Sequence, residues 1–246
     1  MNQTIELLTH HRSERSYLDK PIPEEVLSTI IEAAHLAPTS VNSQQVSIVV
    51  TRDPVRRARI AELAGGQPWI AQAPVFLTLV LDMHKTAAGI AMSGKEQHAN
   101  ESVESIVSGS TDVGIALGTL ITAAHAFGLG IVPIGGVRLN PQGIIDLLEL
   151  PPLTFPVAGL VLGYVDTPAH QKPRLPLEAF RHEEVYRTEH LTAAIEQYND
   201  TLINHWKQTG RSDGEAWGSN TASYYQYVYY PHVLPALLQQ GFKLDQ

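Results

Sequence analysis

The stretch Thr111 to Gly136, TDVGIALGTLITAAHAFGLGIVPIGG, decides the fold. Between Val113 and Gly136 it holds no Asp, Glu, Lys or Arg, in a chain whose formal net charge is −8. Thr111 or Asp112 can cap a helix. Ala, Leu and Ile then recur on every side rather than along one stripe, as in a helix that is buried all round. Gly128-Leu129-Gly130 supplies the stop, because glycine enters the left-handed region cheaply. The chain restarts as a short β-rich run, Ile131-Val132, and turns at Pro133-Ile134-Gly135-Gly136. About 20 apolar residues suffice to span a bilayer. This run is solitary, broken by glycines and flanked by no basic cluster, so no membrane contact is expected. The expectation is a central helix wrapped on all sides, by its own chain or by a second subunit. Gly114 and Gly118 would let another backbone approach closely.

Around this element the chain has room for one large domain or two small ones, with 246 residues of which 43% are hydrophobic. Its acidic balance and lack of a basic run exclude nucleic acid, whose binding depends on phosphate neutralisation. Cysteine is absent, which removes disulfides, thiolate metal sites and a thiol nucleophile. The N-terminal MNQTIELLTHHRSERS carries no apolar signal core, and the cytoplasm is the expected address.

Helices are expected from Ile5 into His10, from Pro21 to Pro38 with Val26, Leu27, Ile30, Ile31, Ala34 and Ala37 facing inward, and from Pro54 to Ala64 with its arginines solvated. Two more are expected from Asn140-Pro141 to Glu149 and from Thr192 to Gln208. Strands are expected at Val46–Thr51, Val75–Leu81, Ile131-Val132 and Phe155–Val165. Residues 84–110 read as irregular, with a helix from about Glu101 leading into the central element. Five of the nine tyrosines crowd into 224–230, as an aromatic surface or as a tail packed on its own protein or a neighbour.

His11-Arg12-Ser13-Glu14-Arg15 gathers potential cations and a hydroxyl, an anion seat or a solvated basic turn. The loop Pro38 to Gln45 is dense in small hydrogen-bonding side chains. A Rossmann turn fails, since Gly128-Leu129-Gly130 follows a helix and the third glycine position holds Pro133. Neither Gly-x-Ser-x-Gly nor His-Glu-x-x-His is present, so hydrolase and metalloprotease chemistry lacks its residues.

Taken together the motifs resemble the FMN-dependent nitroreductases. His11-Arg12-Ser13-x-Arg15 looks like that family's first FMN-phosphate motif. Pro38-Thr39-Ser40-x-Asn42-x-Gln44 is similar to its Pro-Ser-x-x-Asn-x-Gln loop. Gly65-Gly66-Gln67, Ile134-Gly135-Gly136 and Lys172-Pro173-Arg174-Leu175-Pro176 follow in the order of one branch, the oxygen-insensitive NADPH nitroreductases and flavin reductases. The resemblance runs from Thr4 to about Tyr186 and more loosely to the end. It implies an α+β sandwich, a mostly antiparallel sheet surrounded by helices, as an intertwined homodimer. One domain would span 1–246, with an FMN-binding core at 1–186 and a C-terminal extension at 187–246.

Two FMN sites would lie at the subunit interface. His11, Arg12, Ser13 and Arg15, with Lys172 and Arg174, would hold the phosphate and ribityl chain. Thr39, Ser40, Asn42 and Gln44 would come from the other subunit. Gln67 would reach the pyrimidine edge, and Ile134, Gly135 and Gly136 would present backbone to the opposite edge. NADPH or NADH would deliver a hydride and leave. A nitroaromatic, quinone, flavin or similar small acceptor would then take it in a ping-pong, two-electron exchange. The cofactor carries this chemistry, so neither a catalytic side chain nor a metal is expected. Lys207 and Arg211 stand where the branch reads the NADPH phosphate, with Asp213 close enough to compete. Two departures stand out: Gln45 replaces a common proline, and Pro133 precedes Ile134 where an aromatic is frequent. The alternatives are a flavin-sequestering protein without turnover and an anion-binding interaction protein.

Overall fold

The computed structural model describes residues 2–244. Its sheet has four strands, β1 (Val46–Thr51), β2 (Val75–Asp82), β3 (Gly130–Ile134) and β4 (Thr154–Gly163). Their order is β1-β2-β4-β3, and every neighbouring pair is antiparallel. The helices, in chain order, are α1 (Gln3–Thr9), α2 (Glu24–His35), α3 (Pro54–Leu63), α4 (Pro68–Gln72), α5 (Met83–Met92), α6 (Val103–Ala126), α7 (Pro141–Leu147), α8 (Leu191–Gln208), α9 (Trp217–Tyr225) and α10 (Val233–Gln239).

The two inner strands explain their own composition. β2 and β4 are buried nearly from end to end, so they read as continuous apolar runs rather than alternations. On one face Val75, Leu77, Leu79, Ile131, Leu160 and Leu162 join Leu27 and Ile30 of α2 and Val113, Ala116, Leu120 and Ala124 of α6. On the other, Phe76, Val132, Ile134 and Val161 meet Ile60 and Leu63 of α3, Ile70 of α4 and Ile144 of α7. The strand period of two thus feeds two helical layers. The fold is an α+β sandwich.

The chain divides into two compact units. One runs to Ala169 and resumes at Tyr230, and contains the sheet. The other, His170–Tyr229, is built on α8, where Tyr198, Leu202 and Trp206 pack with Leu175, Ile203 and Trp217.

Several expectations need correction. The central helix is not capped at Thr111 or Asp112, but is continuous with the helix expected from about Glu101. It runs unbroken from Val103, and Ser102 Oγ accepts the Glu104 N–H at 3.1 Å as its cap. Thr111 bonds back to Val107 O inside the helix. Of the two coverings expected for α6, its own chain supplies only part. Ser105, Gly109, Asp112, Val113, Ala116, Leu120 and Ala124 are buried, while Val107, Thr111, Gly114, Ile115 and Gly118 form an open stripe, with Val107 55% and Ile115 39% exposed. Residues 83–92 form α5 rather than an irregular segment, capped by Asp82, whose Oδ1 accepts the Lys85 N–H at 2.9 Å. Arg57 is half-buried rather than solvated, donating to Pro74 O at 3.0 Å.

Candidate functional site

The N-terminal segment is laid against β3. Glu14 N–H donates to Ile131 O at 2.8 Å, and Tyr17 bridges to Val165. Glu14 is buried and accepts the Ala169 N–H at 2.7 Å. This pins the backbone of 13–15 while Arg12 and Arg15 stay exposed. The His11 ring tilts against His125, near the C-terminus of α6, at 5.6 Å between centroids. Burial, and next the nearby His11, hold the His125 imidazole below its ordinary pKa, with Glu14 opposing. Arg15 donates to Ser13 O at 3.1 Å and lies over the Trp69 ring at 5.3 Å. The Arg12 guanidinium has no hydrogen-bond or ion-pair partner among the described residues. It borders a cavity of about 540 Å³ with His10, Glu14, His125 and the backbone of Gly128 and Gly130.

Trp69 links this seat to a second group. Gly65 and Gly66 turn the chain in the left-handed region, at φ +90° and +74°. The turn returns Gln67 so that its Nε2 donates to Ala64 O at 2.8 Å. Gly136, just past β3, closes on that pair. A Cβ there would sit 2.4 Å from Ala64 O and 2.6 Å from Gln67 Nε2. Gly135 has more room, its nearest neighbours being Arg138 Nη2 at 3.3 Å and Tyr230 OH at 3.6 Å. Arg138 donates to Val157 O and lies over Tyr230 at 5.4 Å. The Trp69 Nε1–H is buried and meets no acceptor among the described residues. Neither Trp69 nor Arg138 is marked for this site by the sequence. A lone Trp after a turn and a lone Arg after a strand carry no local signal.

The third group is the loop before β1. Ser40–Asn42 make a single 3-10 turn. Val41, Asn42 and Gln44 have φ of +47°, +55° and +52°. For non-glycine residues each such conformation stores about 1–3 kcal/mol, held by the surroundings. Gln44 N–H donates to Thr39 Oγ1 at 3.1 Å. Ser40 N–H donates to both carboxylate oxygens of Asp112, at 3.1 Å each, and Gln45 Nε2 donates to Asp112 Oδ2 at 2.9 Å. Asp112, expected as a cap, is instead an interior residue of α6 that grips this loop.

The first two groups therefore sit together, and the third does not join them within one chain. The loop hangs on Asp112, and His11 leans on His125 at the other end of α6. Those anchors are thirteen positions apart on α6, about 20 Å of helix at about 1.5 Å per residue.

In the His170–Tyr229 unit, Arg174 donates to Lys172 O at 3.0 Å, and Tyr198 OH donates to Pro173 O at 2.9 Å. Lys172 Nζ lies over Trp206 at 5.2 Å. Both cations line a cavity of about 570 Å³ with Thr201, Asn204 and His205. Lys207 is exposed. Arg211 donates to Asp213 at 2.9 Å and lies over Trp206 at 4.7 Å. Tyr224, Tyr225, Tyr227 and Tyr229 of the tyrosine run are exposed within the chain, Tyr225 and Tyr227 about 70%.

A nitroreductase family model matches residues 8–164, and a model for the C-terminal domain of the nitroreductase family matches 172–245. An FMN reductase [NAD(P)H] of Bacillus subtilis is 45% identical over 249 residues, covering 100% of both chains. The oxygen-insensitive NADPH nitroreductase of Salmonella typhimurium is 32% identical, covering 98% of this chain and 99% of its own. Among solved structures, B. megaterium NfrA2 superposes with a TM-score of 0.97 at 38% identity, covering 100% of both chains.

Proposed function

The chain belongs to the nitroreductase family and is an NAD(P)H-dependent FMN oxidoreductase, and we propose that each of its flavin sites is built from two copies of the chain. One observation carries this: the expected flavin-binding residues of one chain fall into groups anchored about 20 Å apart along α6. The open stripe of α6 supplies the means. A two-fold axis crossing the helix near Gly118, midway between Asp112 and His125, lays each chain's loop against the other chain's phosphate seat. Such an interface uses the same patch on both partners. A Cβ at Gly114 or Gly118 would meet nothing within 4 Å, so a second helix can come close there. The buried stripe would then complete the all-round burial that the apolar composition of α6 calls for.

The residues present fit FMN. Arg12 and Arg15 offer guanidinium forks and Ser13 a hydroxyl, the donor set a dianionic phosphate takes. The orphaned Trp69 N–H and the Gln67 amide are donors for a polar ring edge, and Gly135 leaves space for a ring to reach backbone. The bound flavin supplies the hydride chemistry. The chain's own residues bind and orient it: His11, Arg12, Ser13, Arg15, Gln67, Ile134, Gly135 and Gly136 from one copy, and Thr39, Ser40, Asn42 and Gln44 from the other. Lys172 and Arg174 as further phosphate cations, and Lys207 and Arg211 as readers of the NADPH phosphate, are proposed from sequence alone. The same holds for the acceptor, a nitroaromatic, quinone or flavin. A sequestering role without turnover finds no support among the named relatives.

Ile115→Asp tests the assembly. It places a charge on the open stripe without touching the core, so the chain still folds while the dimer separates. Sedimentation should show a monomer that has lost its yellow flavin. A folded monomer that retains FMN at parent affinity would remove the two-chain reading.

A further inference from the structure

We infer that Asp112 is the positioning residue of the flavin-contacting loop: from inside α6, its carboxylate holds Thr39–Gln44 in the conformation that presents Ser40, Asn42 and Gln44 to the cofactor. This rests on the reading of that loop given above.

Asp112 is 3% exposed in a helix whose other buried positions are apolar or small. No Lys, Arg or His pairs with it among the described residues. Its charge is met by neutral donors alone, the Ser40 N–H shared between both oxygens and the Gln45 amide. A buried carboxylate without a cation destabilises relative to a well-packed apolar residue of similar volume. The packing of α6 therefore does not call for it, and the loop does.

The loop has little else to hold it. Val41 is a β-branched residue at positive φ, a backbone outlier by steric criteria, and it is 95% exposed within its own chain, so burial by that chain does not fix it there. The bonds Asn42 N–H to Thr39 O, Ser43 N–H to Ser40 O and Gln44 N–H to Thr39 Oγ1 are internal to the loop. The tie to the rest of the molecule is made at the two ends of the strained segment. Ser40 and Gln45 bracket residues 41–44, and Asp112 grips both. Gln45 also accepts the Asp82 N–H at 2.9 Å through its main-chain oxygen, which sets where β1 begins. Ser40 and Gln45 share one acceptor, so the arch between them has a fixed span. Side chains of Asn42 and Gln44 projecting from it then have fixed directions. Gln45 stands where a proline is common in the resembled family, and its amide has a defined task here.

The experiment is an FMN titration of the apo-dimer by fluorescence, with sedimentation in parallel, on Asp112→Ala, Asp112→Asn and Gln44→Ala. Asp112→Ala removes charge-assisted acceptors from two donors. It should raise the FMN Kd about tenfold or more, with the dimer intact. Turnover at saturating FMN should change less than about twofold, since what is lost is loop placement rather than chemistry. Asp112→Asn keeps one acceptor and the same shape, and should recover most of the loss, leaving about a threefold weakening. That graded rescue is what a merely structural carboxylate would not produce. If Asp112→Ala does not fold, Asp112→Asn decides: parent-like affinity overturns the inference. Parent-like affinity in Asp112→Ala overturns it equally. Weakened binding in Gln44→Ala alongside a parent-like Asp112→Ala would mean the loop binds flavin without this clamp. Parent-like binding in both would instead remove the flavin role of the loop itself.

Discussion

Gly136→Ala isolates the tightest point beneath the flavin-edge group. The new Cβ would stand 2.4 Å from Ala64 O and must retreat about 1 Å to reach the ordinary contact of 3.4 Å. Ala64 O is backbone at the C-terminus of α3, and Ile134 is locked in register opposite Gly159. Neither side gives easily. Overpacking of this kind costs about 1–3 kcal/mol, and the displaced Gln67–Ala64 bond about 1 kcal/mol more. At about 2–4 °C per kcal/mol for a chain of this size, the apoprotein Tm should fall by roughly 4–16 °C. FMN should also bind more weakly, because the same shift moves Gln67. Gly135→Ala is the internal control. Its Cβ would meet only the far ends of Arg138 and Tyr230, at 3.3 and 3.6 Å, which can swing away. Its Tm should stay within about 2 °C of the parent, with flavin affinity falling first. Thermal unfolding of both apoproteins and their FMN titrations provide the comparison. If the two variants unfold alike, the close approach of Gly136 to Ala64 does not govern this corner.

If Arg211 reads the NADPH phosphate as proposed, its ion pair with Asp213 competes with that role. Arg211→Ala should raise the NADPH KM and leave the NADH KM nearly unchanged, whereas Asp213→Ala, which frees the guanidinium, should lower the NADPH KM; steady-state kinetics with both donors reads this, and equal losses with both would make Arg211 structural. Stability should fall in mild acid through His125. Its folded pKa is depressed by burial and then by His11, so the unfolded chain binds the proton more readily. The contribution of His125 is present above the ordinary histidine pKa of about 6.5 and is lost as pH drops through the folded value. Tm measured from pH 7.5 to 5 should decline less in His125→Gln than in the parent, and parallel declines would exclude His125.

Helices with strong caps were legible from the sequence. Asn140-Pro141 opens α7 with the Asn140 side chain accepting the Gly143 N–H at 3.0 Å, and Pro54 follows its Asp53 cap. The inner strands were legible because burial on both faces leaves a continuous apolar run. A helix from about Glu101 was legible and α6 starts at Val103, but its unbroken run through Thr111-Asp112 was not, because that pair before an apolar run has the composition of a helix N-terminus. That Asp112 bonds a loop 72 residues away in the chain leaves no local trace. Helix α5 was hidden because its cap, Asp82, is also the last residue of β2. The positive φ of Val41, Asn42 and Gln44 has no glycine to announce it. Five short motifs pointed to the proposed site residues. What they could not convey was the distance between them, since a motif has an order along the chain but no place on α6.

The two-chain flavin site is tested most directly by mixing subunits. Arg12→Ala alters the phosphate seat and Gln44→Ala the loop, and each homodimer should hold FMN about ten- to a hundredfold more weakly than the parent. Differently tagged chains carrying one substitution each are co-expressed, and the mixed dimer is purified through both tags. If a site takes its phosphate seat from one chain and its loop from the other, one site of the mixed dimer carries both substitutions and the other carries neither. Flavin titration should then show one site of parent affinity per dimer. If both groups came from the same chain, each site would carry a single substitution, and no site of parent affinity would appear.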